Sequence, residues 1–207
     1  MKDYINIALI AVIILLIGFT VYKNTGGDSS SNNSSISVGQ VDANGYTVID
    51  IEGTSVKKLE KRNENNILIE SGETLNDLKT GTWTTYYQEG RIKSISSYLA
   101  GKPNGIHIEL SDRGHVELQA LYVDGQLHGN WVSYQNGSRK LEERVYNMGE
   151  LNGVNRHYDR TGKLQKEIEF KNDVQDGIFK YYDEQGNITL EYEYKNGEKV
   201  KGGIVKE

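Results

Sequence analysis

His107, His115, His128 and His157 are the residues best suited to hold a metal ion or move a proton at neutral pH. A site built from them would need two or three to converge with carboxylates. The chain repeats every 24 residues, and within that frame they fall at positions two, ten, twenty-three and four, so repetition brings no two of them into one column. No Gly-x-Ser-x-Gly elbow or phosphate-cradling glycine loop occurs. With zero cysteines there is no thiolate ligand, thiol nucleophile or disulfide framework. We therefore expect no catalytic residue, no metal and no cofactor, and read the chain as a non-enzyme. The one polar pattern that does recur is acidic: Glu143, Glu167 and Glu191 at position fourteen, with Glu169 and Glu193 at position sixteen. Such a strip suits a cationic partner or a divalent ion, or it is a solvated face relieved by Lys171 and Lys195.

The 29 acidic and 24 basic residues are spread along the chain, which leaves no clustered Lys/Arg footprint for nucleic acid. Near the start, residues 5–22 are apolar except for Asn6 and Thr20. At 1.5 Å per residue such a helix is about 27 Å long, enough to cross a bilayer core of about 30 Å. Gly18 to Lys23 places large residues where a signal peptidase needs small ones, so we expect residues 1–23 to be an uncleaved single-pass anchor. The slight positive-inside bias of Lys2 puts the remainder of the chain on the exported side, periplasmic or extracellular. Residues 24–40, NTGGDSSSNNSSISVGQ, read as a flexible Ser/Asn/Gly tether.

The elements beyond it are announced by glycine. Gly81, Gly105, Gly129, Gly153 and Gly177 are spaced by 24 residues, and Gly202 follows 25 later. Counting each of these as position zero, a second glycine recurs at position nine (Gly90, Gly114, Gly162, Gly186) and a third at position twenty (Gly101, Gly125, Gly149, Gly197). Asp173 replaces the third glycine in unit four, and Gly137 comes one residue early in unit three, so the turn there is expected to slide by one. Position five holds Tyr86, Leu110, Tyr134, Tyr158 and Tyr182, while position seventeen holds Tyr98, Tyr122, Tyr146, Phe170 and Tyr194.

Between the first and second glycines sit runs of up to six or seven residues rich in β-branched and aromatic types, and those after the second alternate apolar with polar. Each unit is thus a hairpin, and a lone hairpin is marginal in water, so five must pair edge to edge. The expected fold class is an all-β repeat array, one elongated twisted antiparallel sheet over residues 81–207, preceded by the helix. One face is expected to carry the aromatic rungs and the other to be solvated. Residues 41–80 are expected to cap the N-terminal edge, with ILIESGETLNDLKTG as a degenerate unit and SVKKLEKRNENN as a short helix or polar loop.

The pattern of Gly81, Trp83, Tyr86 and Tyr98, repeated as Gly129, Trp131, Tyr134 and Tyr146 and as Gly177, Phe179, Tyr182 and Tyr194, resembles the MORN repeat. It is closest to the bacterial variant found in proteins classed with the YwqK-type antitoxins. The resemblance spans the five units, and His107 and Asn155 interrupt the aromatic rung of units two and four. It implies a binding or scaffolding array whose partner differs from protein to protein, here a membrane-tethered protein-interaction module with an immunity- or antitoxin-like role open to it. The expected partner is another protein, with the membrane engaged through residues 5–22, no nucleic acid, and self-association open to the chain. The alternative is a cell-envelope protein that binds glycans or lipid head groups through the aromatic face.

Overall fold

The computed structural model describes residues 39–135, 137 and 139–205. The expected anchor and nearly all of the tether lie outside these residues, and no helix among the described residues is long and apolar enough to cross a membrane.

What is described is one antiparallel sheet of sixteen strands. They are β1 (Thr47–Asp50), β2 (Val56–Arg62), β3 (Leu68–Leu75), β4 (Leu78–Tyr86), β5 (Ile92–Leu99), β6 (Lys102–Leu110), β7 (Val116–Val123) and β8 (Gln126–Leu127). Next in the chain come β9 (Gly129–Gln135), β10 (Arg139–Asn147), β11 (Glu150–Leu151), β12 (Gly153–Tyr158), β13 (Leu164–Lys171), β14 (Val174–Tyr182), β15 (Ile188–Lys195) and β16 (Glu198–Ile204). Strands pair in chain order; β8 and β11 are the short leading pieces of β9 and β12, split from them at the residue before the first glycine of the unit, His128 and Asn152.

Two kinds of turn join the strands. At the second glycine three residues intervene; Gly90 N–H donates to Tyr87 O, Tyr87 N–H donates to Arg91 O, and Lys93 bulges from the ladder. At the third glycine the turn has two residues, both at positive φ, as in Ala100 (48°) and Gly101 (83°), the twist that a tight hairpin requires. Asn172 and Asp173 adopt the same geometry, so unit four keeps its turn without the glycine. These two-residue turns stack. Gly101, Gly125, Gly149, Asp173 and Gly197 each donate their N–H to the carbonyl 22 residues earlier, at 2.8–3.0 Å.

Four expectations need correction. In units one, two and five the first glycine does not begin a strand but sits inside β4, β6 and β14, at a bulge; in units three and four it follows a one-residue break after β8 and β11. Between the pairs Ser96↔His107 and Tyr98↔Pro103, the three residues Asn104 to Ile106 face Ser97 alone. Asp176 to Ile178 face Glu169 in the same way. Gly177 holds φ at 122°, and a Cβ there would lie 1.9 Å from the Glu169 carboxylate, so both backbone and space demand glycine.

SVKKLEKRNENN is not a helix, and only its last four residues, 63–66, are a turn. Its Val56–Arg62 is strand β2, because Leu59, 24 residues before Trp83, buries to 2% exposure opposite Val48 and Gly72, Lys61 lies over the Tyr46 ring, and Lys57 and Lys58 are exposed. Asn66 takes the place of the second glycine at φ 61°, so β2 and β3 form a complete unit ahead of the expected five.

In unit three the turn glycine at positive φ is Gly137, one position early, but the strand register does not slide with it. Tyr134 pairs with Lys140 and Ser133 with Glu142, the same columns as elsewhere, and Leu141 is the exposed bulged residue.

Finally, the sheet is not aromatic on one side only. Alternation from the Trp83↔Ser96 pair puts positions two, fifteen and seventeen on one face and positions three, five and fourteen on the other. The position-five tyrosines therefore share a face with the glutamates, opposite the position-seventeen aromatics.

The core is thin. Among the described residues with side chains, Leu59, Thr74, Trp83, Ala120 and Asn155 are the buried ones, and all belong to positions two, fifteen or seventeen. The repeat aromatics other than Trp83 are half-buried.

Candidate functional site

The face carrying Trp83 combines aromatic rings with cations. Trp83 is edge-on to Tyr46 (6.4 Å between ring centres) and to Tyr98 (6.5 Å). Lys79 Nζ lies 3.9 Å from the Trp83 ring centre and 5.2 Å from that of Tyr98, while also pairing with Glu70 at 3.4 Å. Arg144 stands 4.8 Å from the Trp131 ring centre and Lys199 4.6 Å from that of Tyr192. His107 and Tyr122 meet edge-on at 6.1 Å, and Phe179 and Tyr192 meet at 6.0 Å. Burial raises the phenol pKa of Tyr98 and of Tyr122, with nearby carboxylates adding to it.

Of the two residues that interrupt the rung, Asn155 also reaches the neighbouring backbone, with the opposite polarity to Trp83. Trp83 Nε1 donates to Glu73 O at 2.9 Å, and Asn155 Oδ1 accepts from Val145 N–H at 3.0 Å. Both reach position sixteen of the preceding strand, where the bulge frees backbone groups from the ladder.

On the opposite face the expected acidic strip is engaged with its neighbours. Glu143 stands across from Arg156, which stands across from Glu167, which stands across from Lys180, which stands across from Glu191. Arg156 Nε binds Glu167 Oε1 at 2.7 Å, and Lys140 binds Glu143. Tyr158 donates to Glu143 at 2.6 Å and Tyr182 to Glu167 at 2.7 Å; Tyr134 donates to Gln119 in the same geometry at 2.9 Å. Glu169 accepts from Ile178 N–H at 2.8 Å inside the bulge, Glu193 pairs with Lys201 at 2.7 Å, and Glu191 is exposed. Burial would push the Glu143 and Glu167 carboxyls up, but the tyrosine and cationic partners outweigh it and hold both below the usual range. Burial and the Glu167 carboxylate push the Tyr182 phenol up to about 12. This alternation of charge was legible in position three, where Arg156 and Lys180 follow the glutamates at a fixed spacing.

The histidines stay apart. His107 Nδ1 meets Ser96 Oγ at 2.7 Å and its Nε2 meets Glu109 at 3.1 Å; His157 Nδ1 meets Glu142 at 3.0 Å; His115 lies beside the Gly137 turn. Among the described residues no group of three His, Asp or Glu side chains is placed to hold a metal ion. The concavities lie along the edge of the second-glycine turns, the one lined by Ser111, Arg113, His115, Glu117 and Tyr134 measuring about 370 Å³ and open to solvent.

Three segments of the chain, residues 79–100, 151–172 and 175–196, match the repeat family described as MORN repeat variant. These three segments, about a third of the chain, are similar to MORN-variant repeats. Each matched segment opens on or next to the first strand of a unit and closes at its second two-residue turn, so the matched unit is the hairpin together with its bulge. No curated protein matches the chain.

Proposed function

We propose that the array is a membrane-tethered protein-interaction module whose aromatic and cationic face receives an acidic, extended segment of a partner protein. The observation that carries this reading is Lys79 held between Trp83 and Tyr98, with Arg144 over Trp131 and Lys199 over Tyr192 offering the same pairing of cation and ring further along the face. Cations seated on rings give attraction for carboxylates together with flat apolar area, and the three pairs stand four and five strands apart, about 19 and 24 Å along the sheet. The glutamate face is the weaker candidate because, among the described residues, it combines no cation with an aromatic ring; charges on both faces are partly answered within the sheet, Lys79 by Glu70 and Arg144 by Glu142 on the aromatic face. An immunity- or antitoxin-like role fits the same reading, the array capturing a toxic partner at the membrane to which residues 5–22 would anchor it. The half-buried tyrosines also suit stacking against sugars, which keeps glycan or lipid recognition as the second reading.

The test is capture from native membranes with the tagged full chain, with the Lys79→Glu/Arg144→Glu chain, and with residues 39–205 deleted. A stoichiometric protein retained by the full chain and lost by both altered chains is the expected result. Equal retention after deletion of residues 39–205 overturns the reading. Binding of purified glycans or anionic vesicles by the full chain, with no protein captured, moves the second reading to first place.

A further inference from the structure

The sheet begins and ends on unlike strands. Within each unit the first strand, carrying Trp83 or Phe179, pairs with a second strand whose position fifteen faces position two, as in Trp83↔Ser96 and Phe179↔Tyr192. At the head, β1 sets Val48 opposite Leu59, which fills position two, so β1 is a second strand lacking its own first strand. At the tail, β16 sets Gly202 opposite Tyr192 and Ile204 opposite Leu190, so β16 is a first strand lacking its own second strand. Among the described residues each of these strands has one hydrogen-bonded neighbour, and its other edge is open.

The two edges also match in chemistry. From Thr47 to Glu52 the head carries two carboxylates, Asp50 and Glu52, and no cation, while the tail from Glu198 to Val205 carries Lys199 and Lys201 against Glu198. Both are unusually apolar for open edges: Val48, Ile49 and Ile51 are exposed at the head, and Val200, Ile204 (76% exposed) and Val205 at the tail. In the register that every unit uses, the tail of one copy would set Gly202 against Val48, Gly203 against Thr47 and Ile204 against Tyr46 of the next. Val48 would then lie over a position with no side chain, and Lys199 and Lys201 would flank Asp50.

We propose that copies of this chain join head to tail, β16 of one pairing antiparallel with β1 of the next, so that one sheet continues through successive molecules. The occupant of each open edge is the complementary strand of a second copy. Such an interface is heterologous and grows into strings or closes into rings, unlike a two-fold dimer. The backbone ladder supplies attraction and the opposed charges fix the polarity.

The chain has no cysteine, so cross-links between introduced thiols are unambiguous. Gly203 has open space at its Cβ position and an ordinary φ, and Thr47 is exposed, so Gly203→Cys and Thr47→Cys suit the fold. Full-length chains bearing each substitution, distinguished by tag size and checked for unchanged strand content, would be mixed with a short bis-maleimide. The expected result is a mixed dimer exceeding either homotypic dimer at least about tenfold, and suppressed by Asp50→Lys/Glu52→Lys in the Thr47→Cys chain. Combining that head with Lys199→Glu/Lys201→Glu in the Gly203→Cys chain should restore it. Homotypic dimers in excess, or no cross-link up to the solubility limit, overturn the proposal; the latter would result if another strand covered β1.

Discussion

Tyr182 donates its hydroxyl to Glu167 Oε2 at 2.7 Å across the boundary between two units, and Tyr158 does the same to Glu143 one unit earlier. Each bond ties position five of one unit to position fourteen of the unit before it, so it reports on the joint between hairpins. Because Glu167 and Glu143 titrate below their ordinary range in the folded chain, their contribution is complete above the unfolded carboxylate value of about 4. It is lost as pH falls through the depressed folded value. Denaturant unfolding should therefore show stability falling between pH 5 and the acid limit, with a shallower fall in Tyr158→Phe/Tyr182→Phe. At pH 7 that double substitution should cost about 1 kcal/mol per bond, the lower end for a charged acceptor because the carboxylates are partly solvated. An unchanged pH slope in the double variant would show that these bonds do not join the units.

Gly177 gives a second, sharper expectation. Its φ of 122° and the Glu169 carboxylate over it together forbid a side chain, so Gly177→Ala should lower stability by about 2–3 kcal/mol. Removing the carboxylate as well, in Gly177→Ala/Glu169→Ala, takes away the closest contact but leaves the residue-169 Cβ 2.7 Å from the new methyl, the backbone strain, and the Ile178 N–H without its acceptor. The double variant should therefore stay well below the parent in a thermal melt. Recovery to the parental midpoint would place the whole cost in the clash.

The hairpins were legible because glycine at fixed spacing is a direct statement about backbone conformation, and the two-residue turns at Gly101, Gly125, Gly149 and Gly197 hold the positive φ that the residue type implies. The bulge was not legible. A glycine followed by Thr-Trp-Thr-Thr reads as the start of a strand, and only pairing shows that Leu78 to Thr80 already belong to it. Strand β2 was hidden by its charges: one Leu among Lys57, Lys58, Glu60, Lys61 and Arg62 lacks apolar alternation. The repeat frame carried backward from Trp83 to Leu59 would have found it. The two faces were misjudged because counting in steps of two along the chain ignores the bulged residue after each second-glycine turn, such as Lys93, which reverses the alternation. Of the candidate site, the glutamate columns could be read but their partners could not, since Arg156 meets Glu143 and Glu167 only through the sheet.

Met148 occupies the first residue of a two-residue turn at φ 48°, a place filled by Asn76, Asp124, Asn172 and Asn196 in other units. Asparagine tolerates this left-handed conformation and an unbranched apolar side chain does not. Met148→Asn should raise stability by about 0.5–1 kcal/mol, since the exposed methionine gives up little burial. Ala100→Asn, at φ 48° in unit one, should act in the same direction, and the two gains should add because the turns share no side-chain partner. Denaturation midpoints of the single and double variants check this; a loss in either would mean that the turn conformation differs from the one described.

Asn155 offers the most direct reading of how the interrupted rung works. It is 3% exposed in a column otherwise held by Trp83, His107, Trp131 and Phe179, and its Oδ1 answers the Val145 N–H that the bulge releases. Asn155→Leu keeps the branched outline in a somewhat larger apolar group and leaves that donor buried and unmatched, at a cost of about 1–3 kcal/mol. Asn155→Trp does not repair it, because indole can only donate, as Trp83 does to Glu73 O, whereas Val145 presents a donor of its own. Hydrogen exchange separates this account from simple loss of packing. Both substitutions should speed exchange at Val145 more than at the position-sixteen amides Leu121 and Glu169 of neighbouring units, while a general loosening of the sheet would raise all three together.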